Sequence, residues 1–479
     1  MKVKKILFSI ALFWSMKVYG FDYSRIGLCR NADGRFSNIN SLKCQTDPVL
    51  LSLLQSDLKL KKCEDKKQPP KIQSGEKPVS AVFIACAPSS KKSCVQIATS
   101  LLENKTNATV NILVDQNELS DEELLRKFEK LLDLAETEKS PLNIIPVHAD
   151  DPEGQRKREG TKFLRDPGVF RVGPGQLEYI TLPDFAPSNV TSMAEDIKIA
   201  CENSFKIQKS YGDPNEWLSI YQKMISDQVS RSEVNELNKV LTLRGGNLLP
   251  LPNGHLLFGL SSYGAPPEKM LNTFEKNQPI DFLQIPNLHI GHIDEVFNIV
   301  PSSDSCGFSI LRASPMKAKA FLESRRNSND KFITGQFTKL KTANEILEDP
   351  VFGYFSQANQ KIINDSTEKL LNLLKPDLPQ DCKPKVIDLP VFWDILGNPL
   401  YPNPVNGISV NGHFFYSEPT SLLHDKSSSS PHGLKEWIET ELRTVFGSHV
   451  HSVKTTEYDQ GQGNLHCATT QISVPCISE

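Results

Sequence analysis

Apolar and polar positions change their spacing several times along the chain, and each change marks an element. Residues 81–86 form an unbroken apolar run of strand length, and residues 94–103 follow with helical spacing. Residues 110–114 read as a second strand. Ser120 then serves as the expected N-cap of an amphipathic helix reaching Ala135, with Asp121, Glu122 and Glu123 in its first turn and leucines on one face. Residues 142–147 close this unit as a third strand. Further helices are expected around residues 214–234, 314–324 and 434–446. No repeat of fixed period is visible in the sequence, although the mixing of strands and helices points to an α/β or α+β fold with buried sheets.

The pattern is different at the two ends of the first eighty residues. Lys2, Lys4 and Lys5 precede an apolar run from Ile6 to Trp14, and Val18 and Gly20 stand at the −3 and −1 positions of a cleavage site, so residues 1–20 read as a signal peptide. Export to the periplasm or the cell exterior is therefore expected. Residues 21–77 have little periodicity and end in a Lys-rich, Pro-containing stretch, which reads as an N-terminal extension and linker. Residues 78–479 are then the main domain. No segment approaches the roughly 20 apolar residues of a membrane span.

Composition narrows the function only by exclusion. The 479 residues carry a net charge of −3, with 23% charged and 38% hydrophobic residues, and no basic stripe suited to nucleic acid. Ten cysteines suit an oxidising compartment. Sequence proximity alone suggests Cys29 with Cys44 and Cys86 with Cys94.

Candidate chemistry lies in four separated segments. Gly291-His292-Ile293-Asp294-Glu295 sits within the largely apolar run 285–300, and in an extended strand His292 and Asp294 would share one face. Cys467 follows a glycine-containing turn near the C-terminus. Asp166 precedes Pro167-Gly168, and Arg244-Gly245-Gly246-Asn247 reads as a tight turn. Two carboxylates, an imidazole and a thiol suit attack on a guanidinium, whose planar fork of N–H groups carboxylates can grip and whose carbon a thiolate can attack. His466 reads as a packing or hydrogen-bonding neighbour of Cys467, His289 as structural, and Arg244 as a surface ion-pairing residue. A Cys-His protease is a competing arrangement, as is a catalytically idle exported guanidinium-binding protein.

In order along the chain, the segment 282–301, Gly307-Phe308 with Ala313-Ser314-Pro315, Ile387-Asp388-Leu389-Pro390, Tyr401-Pro402-Asn403-Pro404-Val405-Asn406 and Leu465-His466-Cys467 resemble the blocks of the peptidylarginine deiminase catalytic domain, within the guanidine-modifying (pentein) superfamily. The resemblance implies a five-bladed α/β propeller with pseudo-fivefold symmetry and a site in its central channel. It implies hydrolysis of arginine in a protein or peptide to citrulline, with Cys467 as nucleophile, His292 as acid and base, Asp166 and Asp294 holding the guanidinium, and Phe163 lining the arginine stem. Asn247 falls in a turn expected to give structural support. A small guanidine such as agmatine or free arginine is the alternative substrate. The sequence departs from the family at Gly461, where an arginine is expected, and at three calcium-ligand positions occupied by Arg165, Val169 and Leu249. Those side chains cannot supply the oxygen ligands that calcium takes. A calcium-independent enzyme with no required cofactor is the resulting expectation.

Overall fold

A computed structural model describes residues 61–62, 74–147, 168–173, 176–181, 245–260, 278–286, 288, 291–333, 340–394, 397, 399–419, 433–459, 464–473 and 476–477. The signal-peptide segment, Cys29, Cys44 and the expected helix at 214–234 lie outside these residues.

The expected N-terminal unit is present as β1 (Val79–Cys86), α1 (Lys91–Glu103), β2 (Thr109–Asp115), α2 (Glu122–Glu138) and β3 (Leu142–Val147). All eight residues of β1 are buried, which is why its run is continuously apolar rather than alternating. The N-cap of α2 is Asp121 and not Ser120. The Asp121 carboxylate accepts from the backbone N–H groups of Glu123 and Leu124, and its charge suits the helix N-terminus better than a hydroxyl does. Ser120 instead ends the short 3₁₀ turn before the helix.

After the hairpin β4 (Gly168–Gly173) and β5 (Gln176–Thr181), one arrangement recurs. In each case an antiparallel pair is followed by a third strand parallel to its second member. β6 (Leu248–Pro250), β7 (Leu256–Leu260) and β8 (Ile280–Gln284) form the first such sheet. β9 (Phe297–Pro301), β10 (Phe308–Ser314) and β11 (Lys385–Pro390) form the next, with α3 (Pro315–Ser324) and α4 (Pro350–Leu374) in the crossover. β12 (Ile408–Val410), β13 (His413–Ser417) and β14 (Val450–Val453) form another around α5 (Leu434–Phe446). The N-terminal sheet follows the same rule, but its antiparallel member comes from the other end of the chain: β15 (Thr469–Ser473) pairs with β1, which is parallel to β2. A structural repeat thus exists without a sequence repeat, and the fold is α/β.

Two apolar clusters hold these sheets. One joins the N-terminal unit to Phe415, Val453 and Leu465, and the other runs from Leu249 through Phe297, Phe321 and Trp393 to Phe446. Asn298 on β9 donates to the carbonyls of Val405 and Gly407, both at 2.9 Å, and so ties one sheet to the segment entering the next. Among the described residues no helix is long and apolar enough to cross a membrane.

Among the described residues two disulfides are present, Cys86–Cys94, as proximity suggested, and Cys306–Cys382. The second joins residues 76 apart, yet it follows from the parallel register of β10 and β11, in which Ser309 faces Lys385. Continuing that register three residues back brings Cys306 beside Cys382. Closing so long a loop restricts the unfolded chain, so replacing both cysteines by serine should lower the unfolding free energy by about 4.5 kcal/mol. Urea titration of the oxidised proteins measures this, and a difference below about 0.5 kcal/mol would show that the bridge constrains little.

Candidate active site

The His292–Asp294 segment is not the extended strand expected from its period. Gly291 adopts φ +74°, a left-handed conformation that favours glycine, and residues Ile293–Glu295 form a 3₁₀ turn before β9 begins at Phe297. The Glu295 carboxyl group reaches back to accept from the His292 backbone N–H at 2.9 Å. Ile293 is fully buried in the apolar cluster, whereas His292 and Asp294 both approach Gly246. A methyl group placed on Gly246 would lie 2.6 Å from His292 Nδ1 and 3.1 Å from Asp294 Oδ2. The turn delivers the shared face that the sequence suggested, by a different backbone path.

Asn247 holds this turn in place. Its Oδ1 accepts from the Ile293 backbone N–H and its Nδ2 donates to the Gly259 carbonyl, both at 3.0 Å and fully buried. The expectation of structural support at Asn247 agrees with this geometry.

The C-terminal segment reaches the same place through Asn406. Cys467 lies in the one-turn helix Leu465–Ala468 directly before β15, so pairing of β15 with β1 fixes where the thiol stands. The Asn406 carbonyl accepts from His466 N–H at 3.1 Å, and its side-chain Oδ1 lies 3.4 Å from both the Cys467 N–H and Sγ. On its other side Asn406 Nδ2 donates to the Asp294 carbonyl at 3.4 Å. Asn403, three residues earlier, donates to the Glu295 carbonyl at 2.7 Å.

Asp294 Oδ2 is the meeting point of the charges. It accepts from His466 Nδ1 at 2.7 Å and lies 3.8 Å from Cys467 Sγ. His292 and Asp294 are each 2% exposed, whereas Cys467 retains 9%. Cys467 takes part in neither of the two disulfides described above. Among the described residues no cation lies beside Glu295, and burial raises its carboxyl to about 8.

The structure therefore brings together His292, Asp294 and Cys467. Asp166, Phe163 and Arg165 lie outside the described residues, as does His289. His466 is a hydrogen-bonding residue, as expected, but its partner is Asp294. Asn403, Asn406 and Glu295 were not singled out as site residues from the sequence. The usable signal was their polarity inside buried, proline-containing or apolar stretches. Leu249 is buried among apolar side chains, and among the described residues no group of three His, Cys, Asp or Glu side chains is arranged to hold a metal ion.

No family model matches the chain. Human protein-arginine deiminase type-1 is 27% identical over 241 residues, which cover 47% of this chain and 34% of that protein. Mouse protein-arginine deiminase type-4 is 23% identical over 258 residues, covering 49% of this chain and 36% of that protein. The chain resembles the protein-arginine deiminases. The likeness spans only about a third of those relatives' length. Among solved structures, a protein proposed to be an agmatine deiminase aligns over 87% of this chain and 99% of its own with 14% identity and a TM-score of 0.44. The agmatine deiminase of Enterococcus faecalis aligns over 86% and 99% with 12% identity and a TM-score of 0.42.

The Asn247 clamp is open to a stability test. Asn247→Ala leaves the Ile293 N–H and the Gly259 carbonyl buried without their partner, which should cost about 2–3 kcal/mol. Chemical denaturation reads the loss, and a change under about 0.5 kcal/mol would mean that the turn holds without the amide.

Proposed function

We propose that this protein is a guanidine-modifying deiminase that hydrolyses arginine in proteins or peptides to citrulline and ammonia. The observation that carries the reading is the approach of Cys467 Sγ to Asp294 Oδ2, with His292 on the same turn as Asp294 and Asn406 tying the two segments together. A carboxylate beside a thiol is a poor setting for a thiolate alone. It becomes a good one when a cation lies between them, and a guanidinium is such a cation.

In this reading Asp294 accepts N–H groups of the guanidinium, with His466 donating from Nδ1 to keep the carboxylate oriented. Asp166 holds the other side of the substrate and Phe163 lines its stem, both on the strength of the family resemblance. Cys467 Sγ attacks the guanidinium carbon, and His292 gives a proton to the nitrogen that leaves as ammonia. The C–N bond breaks and an S-alkyl thiouronium remains on Cys467. Water deprotonated by His292 adds to the same carbon, the C–S bond breaks, and the ureido product departs with the thiolate restored. A Cys-His protease would need no carboxylate within reach of the sulfur.

Three further parts of the proposal have separate support. A five-bladed propeller accounts for four sheets built on one strand pattern and for the additional hairpin of β4 and β5. Calcium independence is supported by the residues at the expected ligand positions, because Leu249 is apolar and buried while Arg165 and Val169 offer no oxygen side chain. Export is supported by two disulfides, which persist in oxidising compartments. The domain division at residue 78 is proposed on the sequence pattern alone.

Citrulline formation from benzoyl-arginine amide, free arginine and agmatine tests the reading, with the first expected to react fastest. Cys467→Ala should reduce the rate by about a thousandfold or more, since a methyl group cannot attack the carbon. A haloacetamidine should alkylate Cys467, whereas labelling by a peptide epoxide would favour a protease. Equal inactivity on every guanidine would remove the enzymatic reading, and faster turnover of agmatine or arginine would change the substrate class. Activity should survive exhaustive EGTA treatment, and a complete loss restored by calcium would overturn that part.

A further inference from the structure

Glu295 is a buried carboxyl that the mechanism above does not use. Its Oε1 accepts the His292 N–H at 2.9 Å, a second backbone hydrogen bond comes from Gly291, and its own carbonyl is held by Asn403 at 2.7 Å. The side chain therefore grips the backbone of Gly291 and of His292, the proton carrier of the proposed reaction. The segments packed on this turn are residues 245–247, 248–250, 256–260 and 297–301 and, through Asn403 and Asn406, residues 401–406. None contains a charged side chain, and the titratable group among them is the buried Tyr401 phenol. The titratable groups on its own segment are His292 and Asp294, and beyond Asp294 stand His466 and Cys467. No basic side chain faces it from any of these segments, and the neighbouring carboxylate is repulsive.

We infer that Glu295 is a positioning residue, holding the 291–292 backbone as an uncharged carboxylic acid so that His292 and Asp294 keep their places, and that loss of its proton loosens the turn. This inference rests on the proposed deiminase reading for its effect on rate, but not for its effect on folding. Burial, together with the neighbouring Asp294 carboxylate, raises the titration of Glu295 to about 8 against the opposing pull of the two backbone N–H donors. Between the ordinary value of 4.5 and about 8 the folded protein keeps a proton that the unfolded chain releases. Stability from this group is thus complete below 4.5 and declines as pH rises through the window.

The experiment compares wild type with Glu295→Gln and Glu295→Ala. Glutamine retains an oxygen acceptor for the backbone N–H groups but cannot ionise. Melting temperature should fall less with pH in the glutamine variant, so that it gains on the order of 5 °C on wild type between pH 5 and 8. Turnover of the best guanidine at pH 7 should drop by about tenfold to a hundredfold in the alanine variant and recover largely in the glutamine variant. The alkaline limb near pH 8 should be weakened or displaced upward by glutamine. A melting difference that does not change with pH, or an unaltered alkaline limb in the glutamine variant, would overturn the inference. Should wild type turn over no guanidine at all, the deiminase reading falls, and the melting comparison still decides the state of Glu295.

Discussion

Asn406 touches both halves of the candidate site, and the geometry of that site depends on it. Its amide donates to the Asp294 carbonyl, its side-chain oxygen faces the Cys467 N–H and thiol, and its own carbonyl accepts from His466. The two halves are separated by more than 170 residues, as the 172-residue step from Asp294 to His466 shows. A fully buried asparagine has little freedom once both ends of its amide are engaged. It therefore acts as a ruler between thiol and carboxylate, setting a separation that an apolar contact would leave adjustable.

The same solution is used at each junction around the site. Asn247 joins the turn of residues 293–295 to β7, Asn298 joins β9 to the segment before β12, and Asn403 joins that segment back to Glu295. Each amide pairs with backbone groups that lie outside regular ladders, where a buried N–H or carbonyl would otherwise go unmet. Apolar clusters supply the bulk of the cohesion on either side of these amides. The asparagines decide the relative placement of sheets that each cluster by itself would permit to slide.

Closure of the chain on itself matters in the same way. β15 lies against β1, so the thiol-bearing turn is built onto the first sheet by the last long strand. Glu457 strengthens that junction, with its carboxylate accepting the Lys92 and Ser93 N–H groups at the start of α1. The candidate site is consequently assembled from segments far apart in the chain, and no short contiguous fragment contains it.

Local periodicity made β1, α1, β2, α2 and β3 legible, and α3 and α5 as well, because their buried faces are apolar at regular spacing. The 25-residue helix α4 was not legible. Its buried face includes Ser356, Gln360, Ser366 and Thr367, whose polar atoms find partners such as Ser314 and Arg312 only after folding. The Cys306–Cys382 bridge was hidden for a similar reason, since only strand register brings the two thiols together.

The sequence by itself determined the strand and helix order of the N-terminal unit and the residue types needed for guanidinium chemistry, because both reside in local spacing and side-chain identity. Tertiary structure alone decided that His292 and Asp294 meet through a turn at Gly291, that His466 spends its proton on Asp294, and that Cys467 stands within reach of that carboxylate. Those arrangements depend on hydrogen bonds between residues more than forty positions apart, and no local period encodes them.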